Sequence, residues 1–368
     1  MSEQSVRVPV KKLVDFMHEA LEAMGIPAED AKIIADVVIT SDLWGIASHG
    51  IAHLKMYHER IKAGLQLPVT RWSMVKDTPT TAVVDGGNGM GMVVGYNAMK
   101  IAIEKAQQYG IGAVAVRNSS HYGVAGYYPR MALKEGKVGL SMTNAHPSIA
   151  PTFGVTPMLG TNPIAIAVPT DEPFPFLFDA ATAVVTRGKI EVAARANKPI
   201  PAGWVISHDG TPVTDTRTLI EQMNKDQAAL MPIGGIGELL GGHKGYGLAT
   251  MVEIFSAAFQ NGAYLSQLHD KDAQGNPHFL RIGHFFMAIN VENFLPLAEF
   301  KKITGDMMRE LRGSQIAPDH ERIYTAGEKE YYNTLYVMEH GVEITPGVQK
   351  GLNSLAKELN LPDHNLGF

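Results

Sequence analysis

Residues 81–91 read Thr-Ala-Val-Val-Asp-Gly-Gly-Asn-Gly-Met-Gly, a short apolar run that breaks into a glycine-rich turn. Val94 to Tyr109 follows with helical spacing, and Ala113-Val-Ala-Val116 is again an uninterrupted small and β-branched run. Strand, turn, helix and second strand make a βαβ-like unit, which sets the fold class as α/β. A dinucleotide phosphate would sit on such a turn if its glycines followed G-x-G-x-x-G. Here the spacing is Gly89-x-Gly91-x-x-x-Gly95, and Arg117 follows the second strand where an acid would hold a ribose. The unit is therefore not a Rossmann fingerprint, and tight backbone turning is enough to explain its glycines.

Upstream of this unit the chain reads as helical. Leu13, Phe16, Met17, Leu21 and Met24 mark one apolar face that ends at Gly25. Pro27 opens a second helix carrying Ile33, Ile34, Val37 and Val38, and a third is expected from about Gly50 to Ala63, stopping at Gly64. Downstream, a helix-like segment spans Val124 to Glu135, and strands are expected at Val138–Met142, Ile164–Val168, Phe176–Phe178 and Gly283–Val291. The polar, turn-rich stretch from Asn197 to Ala229 reads as an excursion with short hairpins, and Gly247 to Phe259 as a helix. Helical spacing returns in Leu297, Phe300, Ile303, Met307 and Leu311. Thr345-Pro346 then supplies an N-cap and first helical residue ahead of Val348, Leu352, Leu355 and Leu359. The expected organisation is a helical part from residues 1–75, completed by 296–368, around an α/β domain from 76–295.

Composition narrows the function classes. The 368 residues carry a formal net charge of −5, with no Lys/Arg block, which argues against nucleic acid as a partner. There is no cysteine, so disulfides, thiolate metal sites and cysteine nucleophiles are excluded. The first twenty residues lack a signal-peptide core, and no apolar run approaches the roughly 20 residues that span a bilayer. A cytoplasmic protein without membrane partners is expected.

Chemistry is concentrated in a few segments. Asn118-Ser-Ser-His-Tyr-Gly-Val-Ala-Gly-Tyr-Tyr128 places His121 in a polar loop just past a buried strand, where open α/β sheets bind ligands. Histidine is also the side chain that exchanges a proton near neutrality. Asp42-Leu-Trp-Gly-Ile-Ala-Ser-His-Gly-Ile-Ala-His53 puts Ser48 and His49 at the expected start of the third helix, an end that favours anions. His49 and His53 are four residues apart and would share a face with Tyr57. They are also a possible metal pair, but no H-E-x-x-H pattern supports it, and a helix cap is an equally good reading of Ser48. Gly160-Thr-Asn-Pro163 is a turn before a buried strand; Asp179-Ala-Ala-Thr182 ends another, close to Arg187-Gly-Lys189. Gly241-Gly-His-Lys-Gly245 surrounds Lys244 with glycines before a helix, where the lysine could meet phosphate, ribose or a carboxylate. Each segment taken alone has a structural explanation.

Together, in this order, the segments SHGIAHL, GNGMG, NSSHYGVAGYY, GTNPIAIAVP, DAAT with RGK, GWVISHDG, GGHKGYGL and YTAGEKE resemble the malate/L-lactate dehydrogenase family of NAD(P)-dependent oxidoreductases. The resemblance runs from about Leu13 to Gly347. It implies an α/β domain that binds NAD or NADP without a Rossmann fold, a helical layer formed by both chain ends, and a homodimer with active sites near the subunit interface. By the same resemblance His121 is the catalytic acid/base, with Ser48 and His49 beside the substrate. Asp179, Ala180 and Ala181 fall at a cofactor-binding strand end, Lys244 meets the nicotinamide cofactor, and Gly327-Glu328 borders it. Thr161 lies where substrate and cofactor adjoin.

These residue types suit the implied reaction, a hydride exchange between NAD(P)H and a small 2-oxo or 2-hydroxy acid. Histidine can deliver a proton to the forming alkoxide and take it back in the oxidative direction. No resident metal is expected. The alternatives are a metal-dependent hydrolase built on His49 and His53, a non-catalytic relative, and a reductase of a cyclic imino acid. One departure stands out. Many relatives carry arginine at position 53, where it resembles a clamp for the small-molecule carboxylate, and this chain has His53. If His53 is the anchor, substrate KM should rise as pH climbs through roughly 6 to 8.

Overall fold

The computed structural model describes residues 4–272, 274–362 and 364–368. A short strand, β1 (Val6–Val8), leads into α1 (Val10–Ala23) and α2 (Ala28–Leu43). Two 3-10 turns, Ala47–His49 and Ile51–His53, precede α3 (Leu54–Lys62). Next come β2 (Ser73–Asp77), β3 (Thr81–Asp85), α4 (Gly91–Tyr109), β4 (Ile111–Ser119) and α5 (Tyr127–Leu133). They are followed by β5 (Lys137–Thr143), β6 (Ile164–Val168) and β7 (Phe176–Ala180). Helix α6 (Arg187–Arg195) leads into the excursion, which carries β8 (Val205–Ser207) and α7 (Leu219–Asn224) and ends in β9 (Ala228–Leu230), with β8 and β9 paired antiparallel. Then α8 (Gly242–Ala257), β10 (Ile282–Asn290), α9 (Leu297–Arg312), α10 (Glu328–His340), β11 (Val342–Ile344) and α11 (Pro346–Glu358) complete the chain.

The central sheet has seven strands in the order β2-β3-β4-β10-β5-β6-β7. The βαβ unit is present, with β3 and β4 parallel, and every other neighbouring pair is antiparallel. This is a mixed α/β sheet. Because β10 runs against both β4 and β5, and β6 against both β5 and β7, strands β3, β4, β5 and β7 all point the same way. Their carboxyl ends therefore share one edge of the sheet. The glycine-rich turn through Gly91, the His121 loop and Ala181–Thr182 all follow strands that end on that edge, Asp179 lies near the end of β7 there, and Thr161 precedes β6, which starts there.

Side chains alternate across the sheet with the period-2 pleat. On one face Val114, Val116 and Phe286 pack with α4 and α5 into the main core, which continues into α1, α2, α10 and α11. On the other face Ala115, Met142 and Phe285 pack against Val252 of α8. A third apolar cluster, including Ile149, Ile190, Leu219 and Leu230, sits beneath the excursion. Strand β1 pairs antiparallel with β11, Val6 opposite Ile344, so the two ends of the chain meet in one helical layer. Among the described residues no helix is long and apolar enough to cross a membrane.

Two local expectations change, and one strand goes unread: β2 has no buried residue, so it shows no apolar alternation to read. The third helix does not start at Gly50; two 3-10 turns separated by that glycine come first, and α3 begins at Leu54. Helix α9 forms as expected, but Ile303, Met307 and Leu311 face outward, and its buried positions are Gly305 and Met308.

Candidate active site

Three histidines meet at the carboxyl edge of the sheet. His49 and His53 leave successive 3-10 turns, and their rings stack at 5.7 Å between centroids and 12° between planes. His121 stacks on both, at 5.6 Å from His49 and 5.3 Å from His53. The expected shared face of His49 and His53 is therefore realised, although not by a continuous helix. What sets the turn is Asp42 on α2. Its buried carboxylate accepts the Ile51 backbone N–H at 2.8 Å, and a Cβ on Gly50 would lie 1.9 Å from its Oδ1. Only glycine lets the chain pass this close to the carboxylate. Ser48 is exposed and does not cap a helix; its Oγ lies 2.9 Å from Nδ1 of His49.

The His121 loop rests on the glycine-rich turn. Ser120 Oγ accepts from the Gly91 N–H at 2.9 Å and donates to the Gly89 carbonyl at 2.8 Å. A Cβ on Gly91 would stand 2.2 Å from the Ser120 carbonyl oxygen. The first turn of α4 is thus occupied by the backbone of the His121 loop, which explains why a glycine-rich turn in the right place lacks the dinucleotide spacing. Behind the loop, the His284 ring stacks on Tyr122 at 4.4 Å and bridges the Thr143 and Ser119 hydroxyls, each at 2.8 Å.

His121 is oriented by Tyr57 of α3, whose buried hydroxyl lies 2.9 Å from Nδ1. The Gly123 N–H, which can only donate, also points at Nδ1, at 3.4 Å. Nδ1 therefore accepts, and the neutral ring carries its hydrogen on Nε2. Desolvation, then the neighbouring His49, His53 and Arg60, holds the His121 pKa well below the usual histidine range. Desolvation lowers His49 as well, and together with His49 and Arg60 pushes His53 down to about 4. Burial acts oppositely on Asp42, pushing it up to about 7 against the pull of its bond from Ile51. Stacked rings direct their nitrogen lone pairs into nearly parallel planes rather than at one point. The trio is thus poorly arranged to chelate an ion, and the hydrolase alternative gains nothing from it.

A second set of segments meets farther along the same edge. The Thr182 N–H donates to the Thr161 carbonyl at 2.9 Å, and the Ile233 N–H to the Thr182 carbonyl at 2.8 Å. Gly245 in the first turn of α8 packs so closely on Ile233 that a Cβ would lie 2.1 Å from its carbonyl oxygen. Thr161, Ala181–Thr182 and the amino end of α8 therefore adjoin. Lys244 is exposed on that first turn, and Gly237 and Gly247 border open space. Asp179 instead turns its Oδ2 toward the Gly126 N–H at 2.6 Å, beside Trp44, and burial pushes its pKa up to about 6. It links β7 to the loop that carries His121. Gly327 has a positive φ of 92° and begins α10, while the buried Glu328 carboxylate is held by Arg322, Arg312 and the Thr325 N–H.

Two residues of the histidine pocket escaped the sequence reading. Tyr57 was visible only as a member of a helical face, because its bond to His121 joins positions far apart in the chain. Arg60 lies one turn beyond Tyr57, and no sequence signal separates it from an ordinary surface arginine.

Comparison with known proteins is consistent along the whole chain. The pattern of the malate/L-lactate dehydrogenase family matches residues 8–353. A malate dehydrogenase of Pyrococcus abyssi is 45% identical over 361 residues, covering 98% of this chain and 97% of its own. An L-sulfolactate dehydrogenase of Methanocaldococcus jannaschii is 38% identical, covering 93% of this chain and 94% of its own. The crystal structure of a malate dehydrogenase from Entamoeba histolytica superposes with a TM-score of 0.94 at 42% identity, covering 98% of this chain and 99% of that one.

Proposed function

The chain belongs to the malate/L-lactate dehydrogenase family, oxidoreductases that act on hydroxy acids, and from that premise we propose that His121 performs the proton transfer in reduction of a small 2-oxo acid. The observation that carries this reading is the 2.9 Å bond from Tyr57 to Nδ1 of His121, which leaves Nε2 as the nitrogen free to meet a substrate oxygen. The family's dehydrogenases use nicotinamide cofactors, which supply or accept the hydride at C2 of the substrate. The open, glycine-bordered space beside Thr161, Thr182 and the amino end of α8 fits such a group. Helix N-termini favour phosphate, and the exposed Lys244 adds a positive charge there. Thr161, Ala180, Ala181 and Lys244 would hold the cofactor, with Asp179 and Gly327-Glu328 shaping the walls rather than presenting free groups.

In the reductive direction His121 takes up its second proton on Nδ1, where the Tyr57 oxygen turns to accept it; Nε2–H then donates to the oxygen as it becomes an alkoxide, leaving a neutral ring with its hydrogen on Nδ1. His49 and His53 form the adjacent wall, and Ser48 offers a hydroxyl at its rim. The pocket leaves His121 neutral when empty. A substrate carboxylate beside the three rings reverses part of that penalty, so substrate and proton enter together. The names of the relatives place malate and sulfolactate, each a 2-hydroxy acid with a second acidic group, first among the substrates to test. A homodimer is part of the same reading. It is supported by outward apolar side chains on α8, α9 and α10, including Ile254, Met307 and Leu335. The test is a panel of oxaloacetate, 3-sulfopyruvate and pyruvate with NADH and NADPH in parallel. Turnover of at least one pair is expected. Failure of both cofactors to bind the folded protein at millimolar concentration would overturn the reading.

A further inference from the structure

We propose that Arg60, not His53, supplies the permanent positive charge that anchors the substrate's carboxylate in the histidine pocket. The inference rests on the reading of the pocket as a 2-oxo acid site and names the group that recognises the acid.

The placement follows from helix geometry. His53 closes the second 3-10 turn, Tyr57 lies one turn later on α3, and Arg60 is three residues beyond Tyr57, so the three side chains share one face. Tyr57 is bonded to His121 and His53 is stacked on it, which puts this face against the proton-transfer group. Arg60 is half-buried, and its Nη1 is shielded from solvent with no hydrogen-bond partner. Among the described residues no hydrogen bond or ion pair engages any nitrogen of this guanidinium. The acid whose charge bears on it is the exposed Asp270, which does not reach ion-pair distance. Its charge nevertheless weighs on Tyr57, His53 and His121.

A buried guanidinium nitrogen without an acceptor is costly unless a ligand completes it. The other basic side chains of the pocket are histidines held below their usual range, and His53, pushed down to about 4, is neutral at physiological pH. Neutral imidazole gives a carboxylate a single donor, whereas guanidinium gives a permanent charge and a two-pronged fork. The chemistry therefore selects Arg60 as the partner of a carboxylate, with His53 as a neutral wall.

The experiment is steady-state kinetics of Arg60→Met, Arg60→Ala and His53→Gln, using whichever of oxaloacetate or pyruvate the wild type reduces better. Cofactor affinity is followed separately by nicotinamide fluorescence. Arg60→Met should raise KM by about 10²-fold, as expected for losing a charge-assisted bond, with kcat and cofactor affinity changed far less. His53→Gln should change KM by no more than a few-fold. Added guanidinium ion should restore part of the lost activity of Arg60→Ala, which a purely structural role would not allow. Should Arg60→Met not fold, Arg60→Lys takes its place: it keeps charge without the fork, and an intermediate KM is expected. Unchanged KM in the folded Arg60 variants, or a larger KM effect at His53, would overturn the assignment. Absence of any 2-oxo acid reduction by the wild type would instead remove the functional reading on which it rests.

Discussion

At the scale of single residues, the decisive feature is a buried histidine that is neutral in the empty site and that the proposed reaction needs charged. Desolvation and its neighbours hold His121 well below the usual histidine range, so the empty site contains imidazole at neutral pH. Binding of oxamate, a 2-oxo acid mimic that is not reduced, should draw a proton onto His121. Calorimetry in two buffers of different ionisation enthalpy would then show proton uptake near pH 7, lost in His121→Ala; buffer-independent heats would count against it. Tyr57→Phe removes the hydroxyl that fixes Nδ1. Turnover should fall about tenfold, less than the roughly 10²- to 10⁴-fold typical of a general acid–base group itself, while cofactor affinity stays unchanged. Asp42 supplies a stability test with an unusual sign. Its folded pKa of about 7 lies above the unfolded value of 3.8, so its contribution is fully present below about pH 4 and is lost as pH rises to 7. Asp42→Asn keeps an acceptor for Ile51 but cannot ionise. Relative to the wild type it should gain about 3–4 kcal/mol between pH 4 and 8, at 1.36 kcal/mol per pKa unit. Urea denaturation at the two pH values measures this directly, and a constant difference would show that the fold leaves the Asp42 pKa unshifted. The sequence put His121 in a loop just past a strand, as the fold has it, because a strand end and a loop are local features. It could not show Tyr57 as its partner, since that contact spans 64 positions and exists only once α3 is folded against the β4 loop.

At the scale of elements, the site depends on backbone passing close to backbone. Gly91 begins α4 with its α-carbon against the loop that carries His121, and a methyl group there would stand 2.2 Å from the Ser120 carbonyl and 2.6 Å from that of His121. Gly91→Ala should therefore displace the loop and cost about 1–3 kcal/mol, the usual range for overpacking a tight site. Turnover should fall with stability; a variant with wild-type midpoint and turnover would show that the loop can yield freely. The βαβ unit and β10 were legible because apolar runs and turns are local. The position of β10 between β4 and β5 was not, because antiparallel insertion is decided by long-range pairing. The third helix was read too early for a physical reason: Gly50 interrupts its amino end so that Ile51 can reach the Asp42 carboxylate.

At the scale of the whole molecule, both chain ends join one helical layer through β1 and β11, which their helical patterns anticipated. Helix α9 illustrates the limit of that reasoning. Its apolar stripe reads as a core face, yet Ile303, Met307 and Leu311 lie on the outside of a single chain. Amphipathic spacing reports that a face will be covered, not what will cover it. With a second copy as the cover, light scattering should give twice the 39.9 kDa chain mass; a monomer with full activity would contradict the dimer. The central proposal is proton transfer by His121 during nicotinamide-dependent reduction. The most direct measurement compares turnover of wild type and His121→Ala on the best 2-oxo acid, with cofactor binding checked in both. Turnover should fall by about 10²-fold or more while the cofactor binds as before. Near-normal turnover in the folded variant would contradict the assignment.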